Sequence, residues 1–237
     1  MRTALLAIES SQRTCSVAIR NRAGEILQRT ATGDPRERDV LLPAIIELLA
    51  EAGRQASDLN AVAVSTGPGG FTGLRVSIAT AKGMCEALGI PAIDVPSALV
   101  AAMGLHSQWT PHSNSVFVAL AVKGDECWMT EIEVNSKGDI CVRLAQSIGA
   151  DAFDCGNARH LIADDHLSSA IRCKAIESGL SILPPVFHAS DCLLLAESQS
   201  DRSEVVDATD LRVRYPREPE AVTVWRARYP EGFRPKK

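Results

Sequence analysis

The sequence predicts an α/β chain folded in two units, the first mixing antiparallel and parallel strand pairing. Three observations carry this. Residues 1–105 alternate short apolar strand runs with helix-period runs, in the order strand, strand, strand, helix, strand, helix, strand, helix. A polar stretch, "HSQWTPHSN" at 106–114, then breaks the rhythm and marks a boundary. A second strand pair opens at 115, much as the first unit opens. The expected division is a first lobe over 1–105, a second over 106–206, and a surface tail over 207–237.

"TALLAIES" (3–10) reads as a strand buried on both faces. "CSVAI" (15–19) and "EILQRTA" (25–31) follow across short turns, so the three pair as adjacent antiparallel hairpins. A helix is expected from Asp39 to Ala52, where Val40, Leu41, Ala44, Ile45, Leu48 and Leu49 recur at helical spacing. Pro43 falls in its first turn, where a missing amide hydrogen costs little, and Gly53 ends it. "NAVAVS" (60–65) then returns as a strand after a helical crossover, which implies parallel pairing. A second helix is expected from about Thr72 to Leu88, a strand at 92–95, and a third helix at 96–105 with Pro96 at its first position. In the second unit, "SVFVALAV" (115–122) and "ECWMTEIEV" (126–134) form a hairpin around Gly124 and Asp125. "ICVRL" (140–144) and "HLIAD" (160–164) are strand candidates, and "SDCLLLAESQ" (190–199) is a helix capped by Ser190.

Composition narrows the function. The chain has 237 residues, 46% of them hydrophobic, with a net charge of −4, so it has no basic excess with which to hold a nucleic-acid backbone unaided. No apolar run reaches membrane-spanning length and no signal peptide is recognised, so a cytoplasmic protein is expected. Seven cysteines, an odd number without a CxxC pair, argue against a disulfide framework or a zinc ribbon. Cys15, Cys85 and Cys192 are expected to be small buried hydrophobes. The five histidines form no HExxH, and no local metal site is expected.

The most informative stretch is "STGPGGFTGLRV", Ser65 to Val76. As a phosphate-binding P-loop it fails, because Gly67 and Gly73 have the wrong spacing and Leu74 stands where lysine is needed. As a dinucleotide fingerprint it also fails, because Thr72 stands near the required third glycine and the preceding strand is the fourth, not the first. The remaining reading is tight packing: Gly67, Gly69, Gly70 and Gly73 let the strand end turn sharply and the next helix come close to another backbone. That helix carries small residues on two tracks, Gly73–Ser77–Ala81 and Ala79–Gly83–Ala87, suited to a core contact or a protein interface. Its free N-terminus could also receive an anion, and Arg75 could pair with a partner's carboxylate.

"STGPGGFTGLRVSIATAKG" resembles the signature of the TsaB family of bacterial tRNA threonylcarbamoyladenosine biosynthesis proteins. "LLAIESSQRTCSVAI", "LLPAIIELL" and "SDCLLLA" resemble the family's opening hairpin, first helix and second-lobe helix. The resemblance is firm over 1–105, loose over 106–189 and fragmentary beyond. It implies a two-lobed ASKHA fold, the actin-like, Hsp70-like and ribonuclease H-like architecture, with a mixed sheet flanked by helices in each lobe. It also implies a non-catalytic paralogue of TsaD that pairs with TsaD through first-lobe helices and joins the ATPase TsaE. The complex transfers a threonylcarbamoyl group to adenosine 37 of tRNA. The resemblance implies no cofactor on this chain alone; ATP and magnesium serve the partners, tRNA is met through the complex, and a homodimer can form when TsaD is absent.

The chain departs from the family pattern at Glu9, where aspartate is common, at Glu37, where histidine is common, and at Ala121 and Trp128 in the second lobe. Phosphoryl transfer on such a fold needs acidic residues near both lobe hinges. Glu9 is one candidate, but the second-lobe hairpin has its carboxylate, Asp125, in the turn, so a structural role for Glu9 is expected. No GxSxG elbow and no HxxxH pair support a protease. Candidate partner-facing residues are Leu41, Ile45, Leu48, Phe71, Arg75, Ser77, Ala81 and Met84, with Arg75 as the polar anchor. Two alternatives stay open: an independent ASKHA ATPase or small-molecule kinase, on the strength of Glu9, and a scaffold with a drifted partner, on the strength of Glu37 and Ala121.

Overall fold

The structure is a computed structural model that describes residues 4–31, 40–111, 114–199, 205–215, 224–226 and 228–229. Its first sheet begins with β1 (Leu5–Glu9), β2 (Cys15–Arg20) and β3 (Ile26–Ala31), paired antiparallel in sequence. The helix α1 (Leu41–Glu51) carries the chain over to β4 (Ala61–Ser65), which pairs parallel to β1 with Leu5 opposite Ala61. A second crossover, α2 (Phe71–Leu88), leads to β5 (Ala92–Val95), parallel to β4. The antiparallel hairpins and the parallel crossovers are therefore as expected. The expected helix start at Asp39 lies outside the described residues.

The largely apolar α3 (Ser97–Gly104) follows, with Pro96 one position earlier than expected, at the N-cap. The polar stretch after it is not simply a break. It forms the short α4 (His106–Trp109), whose Trp109 is fully buried and donates its Nε1 hydrogen to the Ala102 carbonyl at 2.9 Å. The second sheet comprises β6 (Ser115–Lys123), β7 (Glu126–Val134), β8 (Ile140–Gly149), β9 (His160–Ile162) and, after α5 (Ser169–Glu177), β10 (Ser181–Leu183). Its order is β10–β9–β6–β7–β8, antiparallel across β6–β7–β8 and parallel across β6–β9–β10.

The chain then returns to the first sheet. The helix α6 (Ala189–Gln199) lies against β1 and β2, and β11 (Val205–Val206) joins the sheet antiparallel to β5, completing the order β11–β5–β4–β1–β2–β3. The helix begins at Ala189, so Ser190 is inside the first turn and is not its cap; the Ser190 amide donates instead to Gln28 Oε1 at 2.8 Å. The 207–215 stretch is not a surface tail either. Leu211 is 1% exposed, and the Arg214 amide donates to the Thr66 carbonyl at 2.7 Å.

Three apolar layers explain the stacking. Leu6, Ile8, Val62 and Val64 on one face of the first sheet bury against Ile45 and Leu48 of α1 and Ile78 and Ala81 of α2. The other face, with Leu5, Ala7 and Val95, shares a core with α3, α6 and Val116, Val118 and Ile132 of the second sheet. The far face of the second sheet closes on Ile171 and Ala175 of α5. The result is helices, sheet, helices, sheet, helix: two mixed sheets flanked by helices. The helices α3 and α6 form the middle layer, and Arg20 of β2 ties to Glu197 of α6 through two bonds, Nε to Oε1 at 2.6 Å and Nη2 to Oε2 at 2.8 Å.

Candidate functional site

The glycine segment connects β4 to α2. Gly67 has a φ of +110°, a left-handed value, and an added Cβ there would meet the Arg214 carbonyl oxygen at 2.8 Å. At Gly69 an added Cβ would run into the carbonyl oxygen of Ser11, and at Gly73 into that of Ser10. Several of the segment's polar groups are used within the fold. The Gly70 amide donates to the Ser11 carbonyl at 2.7 Å, and the Gly67 amide to Ser97 Oγ at 3.0 Å. Ser10 Oγ in turn donates to the Gly73 carbonyl at 2.7 Å. The turn after β1 and the start of α2 thus fill each other. The segment is a packing joint between two backbones, and all four glycines of the sequence reading belong to it.

Glu9 ends β1 beside this joint and is fully buried. Its Oε1 accepts from the Ser11 amide at 2.7 Å and from Ser11 Oγ at 2.6 Å, while Oε2 is buried without a hydrogen-bond partner. Burial pushes its carboxyl above the usual range, and the Ser11 bonds pull it part of the way back. Burial, helped by the Glu9 charge, also pushes the Cys15 thiol up to about 11. Cys85 and Cys192 are buried and Cys15 is half-buried. Among the described residues no cluster of three or more His, Cys, Asp or Glu side chains is arranged to hold a metal ion, and no helix is long and apolar enough to cross a membrane.

The return segment closes the other side of the joint. Thr66 Oγ1 donates to Asp94 Oδ1 at 2.6 Å, and Arg214 Nη2 donates to Asp94 Oδ2 at 2.7 Å. Between the lobes a cavity of about 480 Å³ opens, with Pro68, Leu99, Trp128, Thr130, Arg214 and Tyr215 in its wall. Trp128, one of the departures from the family pattern, is half-buried there. Glu37 and the side chain of Ala121 lie outside the described residues.

The partner-facing residues divide sharply. Leu41, Ile45 and Leu48 are at most 3% exposed and belong to the core under α1. Ser77 and Ala81 are fully buried under α2, where Ser77 Oγ donates to the Leu74 carbonyl at 3.1 Å. These five are corrected: helical periodicity marks the face turned to the sheet, and that face is already occupied. Met84 is half-buried. Phe71 is 54% exposed and Arg75 is exposed. The outward residues that sequence reasoning missed are Leu42 (43% exposed) and Ile46 (65%) on α1, and Val76 (49%) on α2. Leu42 and Ile46, four apart and out of phase with the inward stripe, were the available signal.

Comparison with known proteins places this geometry. The family model for TsaD, tRNA N6-adenosine threonylcarbamoyltransferase, matches residues 36–152. The chain is 28% identical over 135 residues to the tRNA threonylcarbamoyladenosine biosynthesis protein TsaB of Escherichia coli, covering 56% of this chain and 57% of that protein. It is 31% identical over 136 residues to TsaB of Haemophilus influenzae, covering 54% and 53%. The chain thus spans about half the length of the curated relatives it matches. Among solved structures, YeaZ from Pseudomonas aeruginosa superposes with a TM-score of 0.72 at 24% identity, over 90% of this chain and 99% of that one. A P. aeruginosa protein described as similar to peptidase YeaZ does so at 0.74 and 24%, over 91% and 100%. These two likenesses establish the fold.

Proposed function

We propose that the chain belongs to the TsaB family, acts in tRNA threonylcarbamoyladenosine biosynthesis, and is the non-catalytic scaffold subunit of the complex that modifies adenosine 37. It pairs with TsaD through the outer faces of α1 and α2, and the pair assembles with TsaE, whose ATP and magnesium chemistry is carried by the partners. This chain works in the cytoplasm, meets tRNA through the complex, and self-associates through the same face when TsaD is absent.

The observation that carries this reading is the contrast between the two sides of α2. Its first turn is closed against Ser10 and Ser11, where the Gly70 amide and the Gly73 carbonyl bond within the fold. Its outer side, with that of α1, leaves Leu42, Ile46, Phe71 and Val76 uncovered. Exposed large apolar side chains on two helices that cover the same sheet face suit a protein contact. A partner face over this helical layer would bury them at about 1.5–3 kcal/mol for each fully covered large side chain. Glu9 supports a structural role over a phosphoryl-transfer role, because its oxygens are turned into the protein and Ser11 occupies Oε1. The test is deletion of the gene from a cell with no duplicate, followed by mass spectrometry of tRNA nucleosides. Loss of the threonylcarbamoyl adenosine, restored by the intact gene, is expected; undiminished modification overturns the reading.

A further inference from the structure

Arg75 is organised in a way that a merely exposed arginine is not. Its guanidinium carbon sits 3.6 Å from the centre of the Phe71 ring, and its Nε donates to the Tyr215 hydroxyl at 3.0 Å. The two rings brace each other, their centres 5.7 Å apart and inclined by 32°. Tyr215 belongs to the return segment, 140 residues further along the chain, and is anchored next door by the Arg214 bonds to Thr66 and Asp94. Stacking on one ring and a bond at Nε fix the plane of the fork. Among the described residues Arg75 makes no ion pair, and it is exposed.

We infer that Tyr215 is a positioning residue of the docking surface: with Phe71 it holds the Arg75 fork ready to take a carboxylate, bidentate, on the helical partner that covers α1 and α2. The inference rests on the proposed pairing with TsaD. It adds a segment outside residues 36–152, which the family model matches. A protein carboxylate fits better than a nucleic-acid phosphate. The guanidinium borders exposed apolar side chains, Phe71 and Val76, and the exposed Glu86 lies on the same helix. The chain as a whole carries 29 acidic against 25 basic residues, which repels a polyanion. A planar fork pre-set by stacking loses little freedom on binding, and a lysine cannot reproduce it.

The test titrates the full chain against the TsaD protein of the same cell by calorimetry, at low and moderate salt. Arg75→Ala is expected to weaken binding on the order of 30-fold or more and to flatten its salt dependence. Tyr215→Phe, which keeps the ring, is expected to weaken it roughly 3–10-fold, and that effect is expected to disappear in an Arg75→Ala background. Arg75→Lys is expected to fall between wild type and Arg75→Ala. Thermal unfolding of each variant checks that the fold is intact. If the wild type binds TsaD and Arg75→Ala binds equally well, the inference fails alone. If Tyr215→Phe weakens binding equally with and without Arg75, the positioning role fails. If Arg75→Ala leaves TsaD binding intact but weakens association with tRNA, the ligand is a phosphate and the inference is overturned. If the wild type does not bind TsaD at all, the pairing reading fails and takes the inference with it.

Discussion

Replacing Gly73 with alanine separates packing from helix propensity, because the two make opposite predictions. On propensity alone, alanine in a helix is favoured over glycine by up to about 1 kcal/mol. The structure places the new methyl against the carbonyl oxygen of Ser10, a backbone atom that has no rotamer with which to move aside. The two strands of chain are also tied together, by Ser10 Oγ to the Gly73 carbonyl at 2.7 Å and by the Gly70 amide to the Ser11 carbonyl at 2.7 Å. Relieving the clash means lifting the first turn of α2 away from the turn after β1. Overpacking of this kind costs about 1–3 kcal/mol, and losing the Ser10 bond costs about 0.5–1.5 kcal/mol more. After the propensity gain the net loss is about 0.5–3.5 kcal/mol, at about 2–4 °C in Tm per kcal/mol for a chain of this size. Gly83 is the matched control. It lies in the same helix, is exposed, and has nothing within 4 Å of an added Cβ. Gly83→Ala should therefore raise Tm by about 1–4 °C. Differential scanning calorimetry on the two variants and the wild type is the assay. If Gly73→Ala is stabilised as much as Gly83→Ala, the glycine segment is not a packing joint and the reasoning is refuted.

Glu9→Gln tests the buried carboxyl. Burial raises its folded value above the usual 4.5, so the folded chain holds that proton over a pH range in which the unfolded chain has released it. Its contribution is fully present below the unfolded value and is lost as pH rises through the folded one. Relative to wild type, Glu9→Gln should gain stability as pH rises from about 4 to about 8, because the amide never has to carry a buried charge; parallel Tm-against-pH curves would contradict this. Leu211→Ala should cost about 2–5 kcal/mol by denaturant unfolding, whereas a residue in a surface tail would stay within about 0.5 kcal/mol. Ile46→Asp should leave Tm within a degree or two yet weaken TsaD binding at least tenfold, since its side chain is 65% exposed; unchanged affinity would remove α1 from the docking face.

The first-lobe elements were legible because each carries its own local signal. β1 is apolar up to its last residue, Glu9, short turns force the hairpins, and the inward stripe of α1 repeats at helical spacing. The same stripe misled the choice of partner residues, since regular spacing of Leu41, Ile45 and Leu48 reports burial in their own core. Outward positions such as Ile46 stand out only once the sheet beneath is known. α5 went unread because only Ile171 and Ala175 of its nine residues are buried, too few to make a stripe. The placement of α6 and β11 was illegible for another reason. The sequence announces α6 as a helix but gives no signal for the two-residue β11, and which sheet they join depends on contacts such as Arg20 with Glu197, 177 residues apart. The pairing of Arg75 with Tyr215 is hidden in the same way. The glycine segment was readable as a joint but not as to what it joins: the Ser10 and Ser11 carbonyls were invisible until β1 lay beside α2.

The most direct measurement of the central claim is light scattering after size exclusion, on this chain mixed with the TsaD protein of the same cell at concentrations from micromolar upward. A scaffold that docks through the outer faces of α1 and α2 predicts one new peak with the mass of a one-to-one complex, and loss of any self-associated form of this chain. Two separate peaks at every concentration, with ATP and magnesium present as well as without, would contradict it.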